Sequence, residues 1–404
     1  MRRSTATALV GLLAVGCKEK PHPPGPSSAP SALGSTQSPT SSAPAASTGS
    51  PSPSAEHDED ASATDAGGAL LELSDVGPAS PAAASERGVV MVTKDDRIAL
   101  APLGKKGRVE AVKEPKDSFA LARGPSVAGE FAYWVSAGRL VRRKIGGGAI
   151  EELAGRARSG TRVTALDKNE HHPAMAVYVG APVSKDANGA AWLWVEGNEP
   201  VTLTPEGSAA SSVSMVESED DVVVLSLEGR TGMTPVHART VTFDANRPKL
   251  DEDVVVWVAG PAQSLTEITA ARNESDVLGL IPLERDITRF GLAEVRVGST
   301  PKMGAPVVWR AYPNGLDPAP VAVSAGCSKT WVVYARPAET RPGSPQELHL
   351  ARAEANGLGP SHVVARASAF ANVSASPLAQ GLLIAYVADF RTWARTFDCR
   401  ANSP

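Results

Sequence analysis

"SVSMVESEDDVVVLSL", residues 212–227, settles how this chain folds. Ser212 to Val216 alternate small polar and apolar side chains, Glu217 to Asp220 make a charged turn, and Val222 to Leu225 form an aliphatic run. The run is rich in Val and too short for a buried helix, so the stretch predicts a short strand, a turn and a second strand covered on both faces.

The pattern recurs along the chain. It stands as "SFALARGPSVAGEFAYWVS" from Ser118, "RVTALDKNEHHPAMAVYVG" from Arg162 and "EITAARNESDVLGLI" from Glu267. It returns as "VAVSAGCSKTWVVYA" from Val321 and "NVSASPLAQGLLIAYV" from Asn372. The apolar runs begin at Val89, Ala132, Ala176, Val222, Val277, Val332 and Ile384, at intervals of 43 to 55 residues. Each interval has room for about four strands, as in "AAWLWVEG" then "PVTLT" after Ala176. This is the spacing of β-propeller blades. One four-stranded sheet cannot cover both its faces, and radial repetition lets each sheet cover its neighbour. The fold expected is all-β, a propeller of about seven four-stranded blades spanning 87–404, or six if the N-terminal strands complete the last. Its architecture is similar to propellers of the TolB or WD40-like kind, although the Trp-Asp dipeptide and the paired glycines of kelch blades are absent. Trp192, Trp194, Trp257, Trp309, Trp331 and Trp393 all fall in predicted strands, where Trp packs between sheets. "SKDANGAAW", Ser184 to Trp192, resembles the Asp-box hairpin of sialidase-type propellers, a structural turn that implies no glycosidase activity.

Composition agrees: 36 Gly and 33 Pro suit a turn-rich β protein, and a net charge of -4 carried by dispersed groups offers no basic stripe for nucleic acid.

The front of the chain is of another kind. Met1, Arg2 and Arg3 give a positive start, and Ala8 to Gly16 an apolar run too short to span a bilayer. Leu13-Ala14-Val15-Gly16-Cys17 resembles the lipobox of bacterial lipoproteins. That resemblance implies a signal peptide over 1–16 and a mature chain beginning at a lipid-modified Cys17. More than one acyl chain is needed for stable attachment, and the family's cysteine carries acyl groups on thiol and amine. Lys18 rather than Asp after the cysteine leans toward the outer membrane. Residues 17–86 are rich in Pro, Ser, Ala, Thr and Gly with little to bury, so a disordered spacer is expected, extended enough to hold the body on the order of 100 Å from the lipid. The patch His57 to Asp60 reads as solvated charge.

No Gly-x-Ser-x-Gly elbow, His-Glu-x-x-His helix or phosphate-binding loop is present, so no catalytic residue, metal site or cofactor is expected. Glu170-His171-His172 reads as a solvated turn, because adjacent histidines point apart and no third ligand stands at metal spacing. Cys327 follows a first strand and Cys399 a third strand, which places both at one end of adjacent units, and an oxidising envelope favours a disulfide between them. The segments between second and third strands are charged, with Lys185, Arg230, Arg285, Asp286, Arg336, Glu339 and Arg341, and binding residues concentrate on loops held by a rigid scaffold. The function expected is that of a monomeric, non-enzymatic envelope binding module for a protein or polysaccharide. The alternative is an envelope hydrolase or lyase with acidic, His or Tyr side chains converging on the central channel.

Overall fold

The computed structural model describes the strand Leu71–Glu72 and, with short interruptions, residues 82–398; the longest interruption is 104–123. Cys17, His57 to Asp60, Lys185, Arg230, Cys327, Arg341 and Cys399 lie outside the described residues.

The described residues form seven antiparallel sheets, taken here in chain order. Sheet one holds Ala82–Ser85, Gly88–Val92 and Ile98–Pro102. Sheet two holds Ser126–Ala128, Phe131–Ser136, Arg139–Lys144 and Glu151–Ala154. Sheet three holds Thr164–Leu166, Met175–Gly180, Ala190–Val195 and Val201–Thr202. In sheet four Ala209–Ser218, Asp221–Gly229 and Thr234–Asp244 are followed by a fourth strand in two pieces, Arg247–Leu250 and Val254–Ala259, both paired with Thr234–Asp244. In sheet five the leading strand is broken instead: Ser264–Leu265 and Thr269–Asn273 both pair with Asp276–Asp286, which continues to Arg289–Gly298 and Val307–Pro313. Sheet six holds Val321–Gly326, Lys329–Pro337, Gln346–Glu354 and Gly357–Ala367. Sheet seven holds Phe370–Leu378, Gly381–Ala388 and Arg391–Asp398, with Leu71–Glu72 added outside the last.

The seven apolar runs of the repeat all fall on the second strands, which explains their texture. Val222 to Leu225 are fully buried, because both faces of the strand are covered and alternation has no purpose there. The outer strands revert to polar character, as in Arg247–Leu250 with alternating exposed positions.

Each sheet shares an apolar core with the next. Val90 meets Ala132 between sheets one and two, Leu140 meets Tyr178 between two and three, and Leu193 meets Val224 between three and four. Leu225 packs with Val277, Leu278 with Val332, and Val333 with Ile384 across the following pairs. The seventh core joins Leu383 of sheet seven to Val89 of sheet one. Leading strands touch in the same cyclic order, with Ala82–Ser85 against Phe370–Leu378. Full burial of a Val or Leu contributes roughly 1.5–3 kcal/mol, so these shared cores are the main stabilising term. The core between sheets seven and one is the thinnest, since five of its eight buried members are Ala.

Hydroxyls clip the leading strands together. Ser126 Oγ accepts the Ala165 N–H at 2.9 Å, Ser212 Oγ the Ile268 N–H at 3.0 Å, and Ser374 Oγ the Ala84 N–H at 3.1 Å. These join sheets two to three, four to five, and seven to one.

Three expectations change. Strands begin at Leu71 and Ala82, ahead of residue 87; "AAAS" reads as low complexity, yet all four residues are buried by their neighbours. An N-terminal strand, Leu71–Glu72, does pair into the last sheet, while Ala82–Ser85, Gly88–Val92 and Ile98–Pro102 form a separate sheet among the described residues. Sheets also vary from three to five strands among the described residues instead of holding four throughout.

Candidate functional site

The leading strands run in one sense, so their starts share an end of the molecule with the close of each second strand and the start of each third. A cavity of about 210 Å³ is lined by residues in or just ahead of the leading strands of six of the sheets. Its lining is small: Ala82 to Ala84, Ser126, Thr164, Ser214, Thr269 and Ser374 contribute methyls and hydroxyls. Arg162 is the one ionisable residue among the described lining, and it is already engaged. Its Nε lies 2.8 Å from Glu267 Oε1 of the segment entering sheet five, and its Nη2 donates to Val373 O of sheet seven at 3.3 Å. Arg162 thus braces sheets three, five and seven across the middle. Sequence reasoning missed this pair: Arg162 and Glu267 each open a copy of the repeat, but nothing in the pattern joins one to the other.

The residues expected on charged loops are placed differently. Arg285 and Asp286 lie inside the strand Asp276–Asp286, which turns directly into its partner with Asp286 opposite Arg289. Arg336 lies inside Lys329–Pro337, paired with Glu347. Second and third strands here run to 9–11 residues, so the charges belong to strand ends and the connections are shorter than composition suggested. Glu339 does lie in the connection after sheet six's second strand.

Arg336 is held in a cluster. Its Nε donates to His349 Nε2 at 2.8 Å, and Nδ1 of the same ring lies 3.0 Å from Ser361 Oγ. Glu347 Oε2 lies 3.0 Å from the same Nε2 and 3.8 Å from Arg336 Nη2, while Oε1 accepts from Arg366 Nε at 3.0 Å. Glu347 and His349 are buried, whereas the Arg336 and Arg366 side chains are 41% and 70% exposed. Burial, joined by the positive charge of Arg336, pulls the His349 pKa below its ordinary value.

Sheet four carries a second buried histidine at the matching register: His237 opposes Ser226 as His349 opposes Tyr334. Its surroundings are acidic. Asp253, in the break of the fourth strand, sits 2.7 Å from Nδ1, and Glu228 Oε2 is 3.8 Å from Nε2. Asp253 also faces Arg239 at 3.5 Å, and Ser226 Oγ donates to Glu228 Oε1 at 2.9 Å. Burial alone would lower the His237 pKa, but the hydrogen bond to Asp253 and the Glu228 carboxylate outweigh it and the net displacement is upward. Burial likewise pushes the Glu228 carboxyl up. Among the described residues no group of three His, Cys, Asp or Glu is placed to hold a metal.

His172 corrects the reading of Glu170-His171-His172 as wholly solvated. It is buried, with Nδ1–H directed to Pro173 O at 3.0 Å, Nε2 accepting from Asn169 at 3.1 Å, and its ring 6.0 Å from that of Phe243. It is a packed turn residue. Trp194 and Trp331 are buried in the shared cores as expected, with Trp192, Trp257 and Trp393 packed at their margins. Trp192 Nε1 also seals its hairpin by donating to Ala181 O at 3.1 Å.

No family model and no curated protein matches the chain. Solved structures give distant likenesses. The α-L-arabinofuranosidase from Fusarium graminearum, in complex with an iminosugar inhibitor, is 10% identical with a TM-score of 0.43, over 81% of this chain and 96% of that one. Trypanosoma rangeli sialidase is 12% identical at 0.43, over 81% and 58%. The fucose-specific lectin from Aleuria aurantia is 12% identical at 0.39, over 69% and 95%.

Proposed function

We propose that the protein is a lipid-anchored β-propeller of the bacterial cell envelope, with seven blades, that binds a protein or polysaccharide partner through the end where second strands pass to third strands. The observation that carries this reading is the lining of the central cavity. Acid–base or nucleophilic chemistry needs titratable side chains with free lone pairs or protons facing the substrate. The described lining offers methyls, hydroxyls and the Asn372 amide, and its single guanidinium is committed to Glu267 and a backbone carbonyl. Such a centre is a rigid hub, and recognition belongs to the charged strand ends around it. The blade count is supported by seven shared cores in cyclic order and by the Ser374 clip between sheets seven and one. The anchor is supported by the lipobox-like Leu13 to Cys17.

Photo-crosslinkers at positions 336, 366 and 391 at that end, and at position 380 at the opposite end, test the reading in cells. One partner captured by the first three and not by the fourth is the expected result. Equal capture from both ends, or none, counts against it. For the anchor, labelled palmitate is expected in the wild type and lost in Cys17→Ser; label surviving the substitution removes the anchor.

A further inference from the structure

The cluster on sheet six has an unbalanced charge count. Arg336 and Arg366 bring two guanidinium groups, permanently charged at any physiological pH. The buried Glu347 carboxylate neutralises one, and burial together with the adjoining Arg336 disfavours a charge on His349. One positive charge remains on two side chains that are 41% and 70% exposed. Their donors are also unevenly spent. Arg366 contacts Glu347 through Nε, and Arg336 is turned inward by Nε and Nη2, which leaves Arg336 Nη1 and both Nη groups of Arg366 without a described acceptor. Arg336 and Arg366 stand opposite Glu347 on the strands to either side of it, so both guanidiniums are positioned about one carboxylate before any ligand arrives. A planar oxyanion matches such a fork, and ordering lost in advance is not lost again on binding.

We infer that Arg336 and Arg366 form an oxyanion-binding site at the recognition end of sheet six, and that its ligand is the carboxylate or sulfate of an acidic polysaccharide. This rests on the binding reading above and names its ligand class. The surroundings favour a sugar polymer over an acidic peptide. Peptide and protein interfaces draw most of their energy from apolar or aromatic anchors seated in pockets. The exposed large hydrophobics among the described residues are Ile150, Val258 and Val363, and only Val363 stands near, three positions from Arg366. The near neighbours include neutral hydrogen-bonding groups, the Gln346 amide, whose oxygen holds the Phe370 N–H, and the hydroxyls of Ser344 and Ser361, alongside two carboxylates, Glu339, whose carbonyl accepts from Ser344, and Asp389, which accepts from Ser368. The site is particular to sheet six. At the matching register sheet four carries Glu228 where sheet six carries Arg336, and its histidine is enclosed by carboxylates.

Calorimetric titration of the full-length chain with polygalacturonate and dextran sulfate tests the assignment, with neutral dextran and polyglutamate as comparators. Binding to at least one acidic polysaccharide is expected, weakening as salt rises because the site is partly exposed. Arg366→Gln is expected to weaken it by about tenfold, the scale of one charge-assisted hydrogen bond, and adding Arg336→Gln to weaken it further. Arg366 is mostly exposed, so its single variant keeps the fold and is the deciding one. Unchanged affinity in Arg366→Gln overturns the site, and tighter binding of polyglutamate than of either polysaccharide overturns the ligand class. If the wild type binds neither polysaccharide while the in-cell crosslink still captures a partner, this assignment falls and the binding reading stands.

Discussion

His237 and His349 occupy one register in two sheets and are set against each other by charge. His237 lies between Asp253 and Glu228, and its pKa stands above the ordinary value; His349 lies against Arg336, and its pKa stands below. By linkage the raised histidine contributes stability that is full at acid pH and lost as pH rises through its folded pKa. The raised Glu228 acts in the same sense, since its buried charged form is the costly one. The lowered His349 acts in the opposite sense: its contribution is present above the unfolded value and lost as pH falls through it toward the folded pKa. Melting temperatures measured from pH 5 to pH 8 are therefore expected to separate two variants. His237→Gln removes a contribution that fades toward pH 8, so its deficit relative to wild type is largest at pH 5. His349→Gln removes one that fades toward pH 5, so its deficit is largest at pH 8. Deficits that do not change with pH would show that neither ring's protonation is tied to folding. Neither histidine was legible as a buried group in the sequence. His237 lies in "TPVHARTV", which reads as a strand, but what selects its charge state is Asp253, delivered by a break in the fourth strand that no local pattern announces.

At the scale of strands and hairpins the sequence was most legible where packing is two-sided. Every apolar run found by the repeat is a second strand, because only that position is covered by sheets on both faces and must be aliphatic throughout. It was least legible at strand ends: Arg285, Asp286 and Arg336 look like loop residues by composition, yet antiparallel pairing tolerates charge wherever a strand emerges from its neighbours. The Ser374 clip belongs to this scale. Ser374→Ala leaves the partly buried Ala84 N–H without its acceptor and is expected to cost about 1–3 kcal/mol in denaturant titration; a change below the error of the measurement would mean that water replaces the hydroxyl. The proposed Cys327–Cys399 bridge is also argued from strand geometry. A Cβ built on Gly326 would lie 3.4 Å from Gly381 O, and Gly381 pairs with Asp398, so the residues just before the two cysteines converge. Intact mass before and after reduction with alkylation is expected to count two protected thiols. In the chain-entropy picture loss of the bridge in Cys327→Ser costs about 4 kcal/mol. Two thiols alkylated without reduction would dismiss it.

Across the whole molecule, stability rests on seven shared cores, and these are unequal. Those between sheets three and four and between four and five are rich in Val and Leu, while the core between seven and one is mostly Ala. The thinnest boundary also gathers other fastenings: the Ser374 clip joins its two sheets, and Leu71–Glu72 extends sheet seven. A chain starting at residue 76 lacks that added strand. It is expected to lose about 1–2 kcal/mol, the worth of a pair of backbone hydrogen bonds, and to melt a few degrees lower in calorimetry than a chain starting at residue 66. Equal melting of the two chains would show that the added strand carries no weight.

That added strand has a mechanical meaning. The body meets the residues ahead of it through two rungs, Leu71 opposite Ala394 and Glu72 opposite Trp393. A pull on the residues ahead of Leu71 is expected to part those rungs first, so they work as a fuse ahead of the buried cores.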